Sequence, residues 1–336
     1  MKVSGMLGAD LDSAPVAIAE LEERGYDAAF SAEINNDPFF PLVLAAEHSS
    51  RIKLTTSISV AFARNPMTMA NLGWDLNHYC RGRFTVGLGS QIKPHITRRF
   101  SMPWSKPAAR MREFILAMQE IWRCWETGET LGFNGEFYRH DLMTPMFTPR
   151  KSDFGGPGIN LAAVGPLMTE VAGEVANGVI SHGFTTVEYL QRVTIPAVER
   201  GLVKSGRDRA DFDISVPAMV VAGATEEAFE ESRRSIRAQL GFYASTPAYR
   251  PVLELHGWGD LQGEANQLTR EDRWDDLGAL ITDEILNTFA LVSEDIDQVP
   301  SLLKQRFGGL VDTWMCTVDT GEPARQKKFI KAIQSH

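Results

Sequence analysis

Short apolar runs and longer amphipathic segments alternate along the 336-residue chain. Residues 53–62 (KLTTSISVAF) are apolar and rich in β-branched side chains, a composition typical of a buried strand. Residues 108–127 instead carry apolar side chains at spacings of three and four, the period of an amphipathic helix packed against a core. Applied along the whole chain, these patterns predict strands near residues 2–7, 26–31, 53–62, 84–89, 159–164, 179–182, 213–222 and 310–318.

Helical patterns separate almost all of the predicted strands, and this alternation predicts an α/β fold. Regular β–α repeats of this number are the signature of a single (β/α)8 TIM barrel, and a doubly wound open sheet is the alternative. Two insertions interrupt the pattern: a loop region at about residues 128–158, with a small hairpin near residues 133–137, and a helical insertion at about residues 241–290. No change in composition marks a linker, so we expect residues 1–336 to form one domain.

Residues 158–184 hold a strand, a helix and a second strand in the minimal length for a right-handed crossover. The first strand passes through the turn Val164-Gly165-Pro166 into the helix, where free backbone N–H groups and the helix dipole favour an anion. Pro166 suits the first helical turn because it lacks a donor that would be unpaired there. The turn predicts a phosphate site, and an ordinary strand-to-helix turn explains the same residues equally well.

Composition narrows the function classes. The net charge of −9 and the pI near 5.4 argue against non-specific binding to nucleic acid or to anionic membranes. No apolar run approaches the roughly 20 residues of a membrane span, and the first residues lack a signal-peptide core. Cys80, Cys124 and Cys316 are far apart, so we expect a cytoplasmic protein with no zinc cage or disulfide framework.

In a barrel the active site lies at the carboxyl ends of the strands. That rule brings several segments to one rim: Glu33, residues 57–59, residues 89–91, residues 164–166 and residues 181–183. Glu33 suits proton transfer if it is partly desolvated, and a loop carboxylate with no catalytic role is the alternative. The cluster Lys93, His95, Arg98 and Arg99 suits an anionic group, and a solvated helix face is the alternative.

Familiar catalytic motifs are absent from the sequence. Gly87-Leu88-Gly89 resembles the start of a dinucleotide fingerprint, but the third glycine is missing and the segment lies on the fourth predicted strand. The chain has no P-loop, no GxSxG elbow and no HExxH helix, and its histidines lack metal-ligand spacing, so no metal site is predicted. The residues alone therefore predict a barrel enzyme with a phosphate-bearing ligand and leave the reaction open.

Three segments resemble the bacterial luciferase-like superfamily, most closely its coenzyme F420-dependent oxidoreductase branch. They are residues 30–70, which begin FSAEINNDPFF, residues 82–100 (GRFTVGLGSQIKPHITRRF) and residues 162–179 (AAVGPLMTEVAGEVANGV). A fourth segment, residues 242–261 (FYASTPAYRPVLELHGWGDL), is similar to one uncharacterised subgroup. The resemblance implies a luciferase-like (β/α)8 barrel, a homodimer, and a long insertion that helps to cover the cofactor.

The resemblance also implies roles for individual residues. A cis peptide bond at Ser57-Ile58 would support the cofactor ring, and the turn after the fifth strand would hold the cofactor phosphate. Glu33 matches a position at which relatives have an aspartate that touches the deazaflavin, whereas Ile34 stands where sugar-phosphate dehydrogenases of the family have a catalytic histidine. The implied cofactor-binding residues are Glu33, Ser57, Ile58, Gly89, Ser90, Gln91, Ala163, Val164, Gly165, Pro166 and His182.

The function implied is hydride transfer between F420 and a small organic substrate of the alcohol, aldehyde, ketone or enone class. The basic cluster Lys93, Arg98 and Arg99 favours F420, because the deazaflavin carries a longer anionic tail than flavin mononucleotide (FMN). An FMN-dependent luciferase-like monooxygenase is one alternative, since both cofactors carry a ribityl phosphate. A non-catalytic flavin-binding or deazaflavin-binding protein is the other.

Overall fold

The structure is a computed structural model, and it describes residues 1–335. Strands occur close to every position where the apolar pattern predicts one. Their bounds are β1 (Lys2–Met6), β2 (Ala28–Ser31), β3 (Lys53–Thr56), β4 (Ser59–Val60), β5 (Phe84–Gly89), β6 (Phe133–Asn134), β7 (Arg139–His140), β8 (Gly158–Ala163), β9 (Gly178–Ser181), β10 (Asp213–Val216), β11 (Met219–Val221), β12 (Ala290–Val292) and β13 (Thr313–Cys316).

Helices connect most of these strands, and local signals mark several of their ends. A left-handed glycine ends the first helix (Gly25, φ 87°) and the fourth (Gly128, φ 78°), where a side chain would be strained. The α-helices are α1 (Ala14–Arg24), α2 (Phe39–Glu47), α3 (Pro66–Tyr79), α4 (Pro107–Thr127), α5 (Pro166–Val175), α6 (Val187–Tyr189), α7 (Ile195–Ser205), α8 (Glu226–Ala244), α9 (Arg250–Glu254), α10 (Gly259–Arg270), α11 (Asp283–Phe289), α12 (Val299–Phe307) and α13 (Pro323–Gln334).

The main sheet has the strand order β3-β2-β1-β13-β10-β9-β8-β5-β4, and β3 also pairs with β5. Neighbouring strands pair in parallel, for example at Ala28↔Lys53 between β2 and β3 and at Val86↔Ile159 between β5 and β8. Because β3 and β4 are two parts of one interrupted strand, the β3–β5 pairing closes an eight-stranded parallel sheet. The predicted (β/α)8 TIM barrel is thus confirmed, and the doubly wound alternative, whose sheet has two open edges, is wrong.

The chain forms two compact units. The larger comprises residues 4–180 and 197–213, and the smaller comprises residues 1–3, 181–196 and 214–335. In the larger unit the apolar stripe of α4 is buried as predicted: Met111, Phe114, Ile115, Met118, Ile121, Trp122 and Trp125. The predicted arrangement as one domain stays a prediction.

The smaller unit has its own apolar core, built largely by the predicted helical insertion. This core includes Phe184, Leu240, Leu253 and Phe289. The part of the insertion after α8 contains α9, α10 and α11, in agreement with its helical prediction. The predicted hairpin of the loop region is also present, as the antiparallel pair β6–β7 with Phe133 opposite His140.

The observed strands differ from the predicted ones in three places. The run 53–62 divides into β3 and β4 because residues 57 and 58 leave the sheet. The run 213–222 divides at Pro217, which has no N–H to donate to a neighbouring strand. The strand β12 was not predicted, because its three residues follow directly on a helix and are too short to display a period of two.

Candidate functional site

Two glycines of β5 allow the preceding strand to approach unusually closely. A Cβ atom at Gly87 would lie 1.7 Å from the carbonyl oxygen of Thr56, and one at Gly89 would lie 2.7 Å from Cδ1 of Ile58. The contact at Gly87 is with backbone and leaves no room for a Cβ atom, so position 87 requires glycine, whereas a side chain at position 89 would displace the side chain of Ile58. The glycine pair of the GLG segment therefore serves strand packing beside the Ser57-Ile58 loop, which explains it without a dinucleotide fingerprint.

The loop between β3 and β4 contains a cis peptide bond at Ser57-Ile58, as the resemblance implied. Hydrogen bonds hold the loop from both sides. The hydroxyls of Thr56 and Ser59 donate to the carbonyl oxygen of Gly87 at 2.7 and 2.9 Å, and the backbone N–H of Glu33 donates to the carbonyl oxygen of Ile58 at 3.1 Å. The loop thus has a defined shape at the carboxyl end of its strand.

Glu33 uses one carboxylate oxygen to join this loop to an arginine. Its Oε2 accepts from the backbone N–H of Val60 at 2.7 Å and from Nη1 of Arg64 at 2.6 Å. Arg64 also donates to Oδ2 of Asp37 at 3.0 Å. The side chains of Glu33 and Arg64 are only 9% and 15% exposed, so the pair is well shielded from solvent. This geometry favours a positioning role for Glu33, and its predicted catalytic role stays a prediction.

Hydrogen bonds hold the segment after β2 at two points. Asp37 accepts from the backbone N–H of Phe39 at 2.9 Å, and Nη2 of Arg99 donates to the carbonyl oxygen of Ile34 at 2.6 Å. The side chain of Ile34 is 65% exposed. An aliphatic side chain cannot transfer a proton, so position 34 supplies no acid or base to this rim.

The segment after β5 combines local hydrogen bonds with exposed cations. Gln91 adopts a left-handed backbone (φ 57°), its Oε1 accepts from the N–H of Ile92, and Ser90 donates its hydroxyl to the carbonyl oxygen of Gln91. Lys93 and Arg98 are exposed, and neither forms an ion pair with any of residues 1–335. These two side chains are available to an anion.

The turn from β8 into α5 has an open helix N-terminus. Ala163 ends the strand, Gly165 is the N-cap residue with an extended backbone (φ −81°, ψ 157°), and Pro166 begins the helix. No side chain caps the helix, and a Cβ atom at Gly165 would meet no atom of the described chain within 4 Å. The turn is accessible from outside.

Backbone donors at this turn lack acceptors. The first N–H of α5 that bonds back into the chain is that of Thr169, to the carbonyl oxygen of Gly165 at 3.1 Å. The N–H groups of Leu167 and Met168 precede it, and neither has a hydrogen-bond partner within residues 1–335. Free donors at the positive end of a helix dipole suit a phosphate group.

His182 belongs to the smaller unit and follows β9 directly. Its Nδ1 accepts a hydrogen bond from the backbone N–H of Phe184 at 3.0 Å. Its ring stacks on Tyr249 with centroids 4.5 Å apart and meets the ring of Tyr243 edge-on at 4.6 Å. Burial lowers the pKa of His182 to about 4, so the ring is neutral near pH 7.

Sequence reasoning placed Asp37 and Arg64 in loops near the proposed pocket, but it predicted neither their ion pair nor the ring contacts of Tyr243 and Tyr249. Asp37 and Arg64 pair across 27 positions, and no local pattern reports such a pairing. The two tyrosines lie in the segment 242–261 that resembles an uncharacterised subgroup, and this was the available signal for them.

Residues 1–335 contain neither a cluster of metal ligands nor a helix able to span a membrane. No group of three or more His, Cys, Asp or Glu side chains is arranged to hold a metal ion. No helix in that part of the chain combines the length and apolar character that crossing a membrane requires.

Related sequences align over most of the chain. An uncharacterised protein of Mycobacterium tuberculosis (strain ATCC 25618 / H37Rv) is 49% identical over 312 residues, which are 93% of this chain and 92% of the relative. The 5,10-methylenetetrahydromethanopterin reductase of Archaeoglobus fulgidus is 25% identical over 323 residues, which are 93% of this chain and 90% of that reductase.

Solved structures share the fold at low sequence identity. The coenzyme F420-dependent tetrahydromethanopterin reductase of Methanopyrus kandleri superposes with a TM-score of 0.75 at 19% identity, over 99% of this chain and 96% of its own. An F420-dependent secondary alcohol dehydrogenase, in complex with an F420-acetone adduct, gives 0.74 at 15% identity over 99% of both chains. A type II Baeyer–Villiger monooxygenase from the CAM plasmid of Pseudomonas putida, in complex with FMN, gives 0.66 at 17% identity over 99% and 96%.

The family model for luciferase-like monooxygenases matches residues 3–313, almost the whole barrel. The match includes β1 at its start and the first residue of β13 at its end. The chain is therefore an enzyme of the oxidoreductase class and belongs to the luciferase-like monooxygenase family.

Proposed function

We propose that the protein is an F420-dependent oxidoreductase that transfers a hydride between the deazaflavin and a small alcohol, aldehyde, ketone or enone. The observation that carries this proposal is the open N-terminus of α5, where Gly165 leaves space and the N–H groups of Leu167 and Met168 have no acceptor within residues 1–335. This donor set fits the ribityl phosphate of the cofactor. Bound F420 would supply a carbon centre that accepts or donates the hydride.

The larger unit offers further residues for the ring and its side chain. The loop at Ser57 and Ile58, held against Gly89, is proposed to support the ring, and Ser90 and Gln91 to line it. Ala163 and Val164 are proposed to line the phosphate seat together with Gly165 and Pro166. In this arrangement Glu33 holds the Ile58–Val60 loop through its hydrogen bonds and orients the ring through that loop. The prediction that His182 contacts the cofactor stays a prediction.

Charge near the rim favours F420 over FMN. Both cofactors carry a ribityl phosphate, so the α5 turn alone does not distinguish them. The exposed cations Lys93 and Arg98 have no acidic partner within residues 1–335, and they suit the longer anionic tail of F420. An FMN-dependent monooxygenase is the second candidate, because a structure of the same fold was solved with FMN.

We also propose that the protein is a cytoplasmic homodimer. The helix α2 exposes two apolar side chains, Phe40 and Val43, which are 64% and 43% accessible. Exposed apolar side chains grouped on one helix are suited to an interface. Light scattering on the purified chain would measure the mass directly, and a monomer at micromolar concentration contradicts this part of the proposal.

The cofactor is tested by titrating the purified chain with F420 and with FMN, followed by Gly165→Asp and Gly165→Asn variants. The aspartate places a negative charge beside the proposed phosphate and should weaken F420 binding about a hundredfold. Asparagine has the same size without the charge and is the matched control. Both variants should fold, because the space around Gly165 is open.

Turnover is then followed by the absorbance of oxidised F420 across alcohols, aldehydes, ketones and enones. Tight FMN binding without affinity for F420 would overturn the proposal in favour of the monooxygenase. Tight F420 binding without any turnover would favour a non-catalytic carrier. Equal affinities of the aspartate and asparagine variants for F420 would contradict the proposed position of the cofactor phosphate at the α5 turn.

A further inference from the structure

Five rings of the smaller unit form an aromatic cluster: His182, Phe184, Tyr243, Tyr249 and Phe289. Besides the two contacts of His182, Phe184 stacks on Phe289 with centroids 4.4 Å apart and lies 5.8 Å from Tyr249. Tyr243 meets Tyr249 edge-on at 6.2 Å. These contacts join the segment after β9 to α8, to the turn before α9 and to α11, so the rings are held by several elements at once.

The hydrogen bond to His182 determines which of its nitrogens carries the proton. Nδ1 accepts from the N–H of Phe184, so Nδ1 must present a lone pair, and the single proton of the neutral ring is on Nε2. Nε2 has no hydrogen-bond partner within residues 1–335. The stacked Tyr249 and the edge-on Tyr243 fix the plane of the ring. The result is an oriented N–H donor in an aromatic environment.

The cluster is neutral as well as aromatic. Burial raises the pKa of Tyr249 to about 12, so this phenol keeps its proton at neutral pH, and the low pKa of His182 leaves the imidazole uncharged. None of the five members is a lysine or an arginine, so the cluster itself offers no cationic side chain to pair with an anionic ligand. A ligand matched to this cluster has an apolar or aromatic body and an uncharged oxygen that accepts one hydrogen bond.

We propose that His182 binds the substrate, donating its Nε2–H to the oxygen of a neutral carbonyl compound or alcohol whose apolar part contacts Tyr243 and Tyr249. This inference rests on the proposed function, which implies a substrate, and it is an alternative to the prediction that His182 contacts the cofactor. Such a donor orients a carbonyl group and polarises it while keeping its own proton. It also explains why the neutral tautomer is held in place by the backbone of Phe184.

The test is a nitrogen-15 NMR titration of the full-length protein labelled at histidine, carried out without any cofactor. The probes are acetophenone, cyclohexanone and 2-cyclohexenone, each compared with a counterpart that lacks oxygen: ethylbenzene, cyclohexane and cyclohexene. The Nε2 signal of His182, assigned by its loss in a variant, should shift with at least one oxygenated probe and not with its counterpart. Equal shifts within every pair, or no shift with any probe, would overturn the inference.

Two variants distinguish the hydrogen bond donated by Nε2 of His182 from the packing of its ring. In His182→Asn the side-chain oxygen can replace Nδ1 as the acceptor for Phe184, but no donor reaches the position of Nε2. In His182→Gln the amide can extend towards that position. The probe that shifts Nε2 should bind about tenfold more weakly to the asparagine variant, with partial recovery in the glutamine variant. Equal affinities of the wild type and the asparagine variant would contradict a role for the donor.

A second titration uses the cofactor as the probe, because its ring also bears carbonyl oxygens. If F420 or FMN shifts the Nε2 signal and none of the organic probes does, His182 binds the cofactor and the inference is wrong. The proposed function fails separately, when the wild type neither binds nor turns over F420. If the Nε2 signal responds to an oxygenated probe in such a protein, the binding of that probe at His182 is supported even though the proposed function has failed.

Discussion

The N-terminus of α5, at Leu167 and Met168, and the aromatic cluster around His182 both offer N–H donors that lack a partner within residues 1–335, but the donors are of opposite character. At α5, the donors are backbone groups at the positive end of the helix, and no side chain caps them. In the cluster, the donor is one side-chain N–H between two tyrosine rings. From this difference we expect the helix dipole to select a charged group and the neutral, half-buried donor to select an uncharged oxygen.

The first prediction concerns the effect of acid on stability. Acid should distinguish the two regions, because only the cluster contains a side chain that titrates. The folded pKa of His182 is about 4, below the usual 6.5, so between those values the unfolded chain binds a proton that the folded chain does not. Stability is therefore lost as pH falls from 6.5 to 4, by up to about 3 kcal/mol.

Urea unfolding of the wild type and of His182→Asn from pH 7 to pH 4 measures this contribution. Paired carboxylates also lose their contribution in acid, but they do so equally in both proteins, so the difference between the two isolates His182. We expect the variant to lose less stability than the wild type over this range. Parallel curves for the two proteins would show that His182 is protonated equally in the folded and unfolded chains.

The second prediction concerns how the larger unit is held in shape beside its proposed cofactor. Glu33→Gln removes the charge that pairs with Arg64 in a shielded position and should lower the free energy of unfolding by about 2 kcal/mol. The control is Glu20→Gln, which removes an equally short pair with Arg24 whose glutamate is 51% exposed, and this change should cost about 0.5 kcal/mol or less.

Kinetics distinguishes positioning from catalysis at Glu33. A positioning role predicts that stability and F420 affinity fall together in Glu33→Gln, with a smaller change in kcat. An unchanged stability with a kcat reduced about a hundredfold or more would instead identify Glu33 as the acid or base.

The third and smallest expected effect is that of salt on ligand binding, and it can be measured without any mutation. Raising sodium chloride from about 0.05 to about 0.5 M shortens the Debye length and should weaken F420 binding several-fold, since phosphate recognition is electrostatic. Binding of an oxygenated organic probe at His182 should change less than about twofold. Parallel titrations by calorimetry give both values, and equal salt dependence would show that the two sites do not differ in charge selection.

Much of the larger architecture could be predicted because it depends on local periodicity. The helix α4 spans residues 107–127, and its apolar stripe from Met111 to Trp125 is buried, as its spacing indicates. The turn at Pro166 was predicted from the missing N–H and the adjacent glycine, and α5 begins at that residue. In each case the residues that form the sequence pattern are the residues that form the predicted element, or lie within a few positions of it.

The candidate site was only partly predictable, because its contacts join distant positions. Glu33 and Arg64 are 31 residues apart, and His182 meets Tyr249 across 67 positions, so no local window contains both members of either pair. The division of the strand predicted at residues 53–62 has a similar cause, since the loop at Ser57 and Ile58 lies against glycines of β5.

The sequence by itself determined the β–α alternation, and with it the closed barrel, because apolar periods of two and of three to four report which face of each element is buried. It also determined the family and the position at which α5 begins. Tertiary structure decided that Glu33 pairs with Arg64, that Gly87 and Gly89 admit the neighbouring strand, and that His182 is a neutral donor. The physical reason is that burial and charge pairing depend on neighbours in space, which only the folded chain brings together.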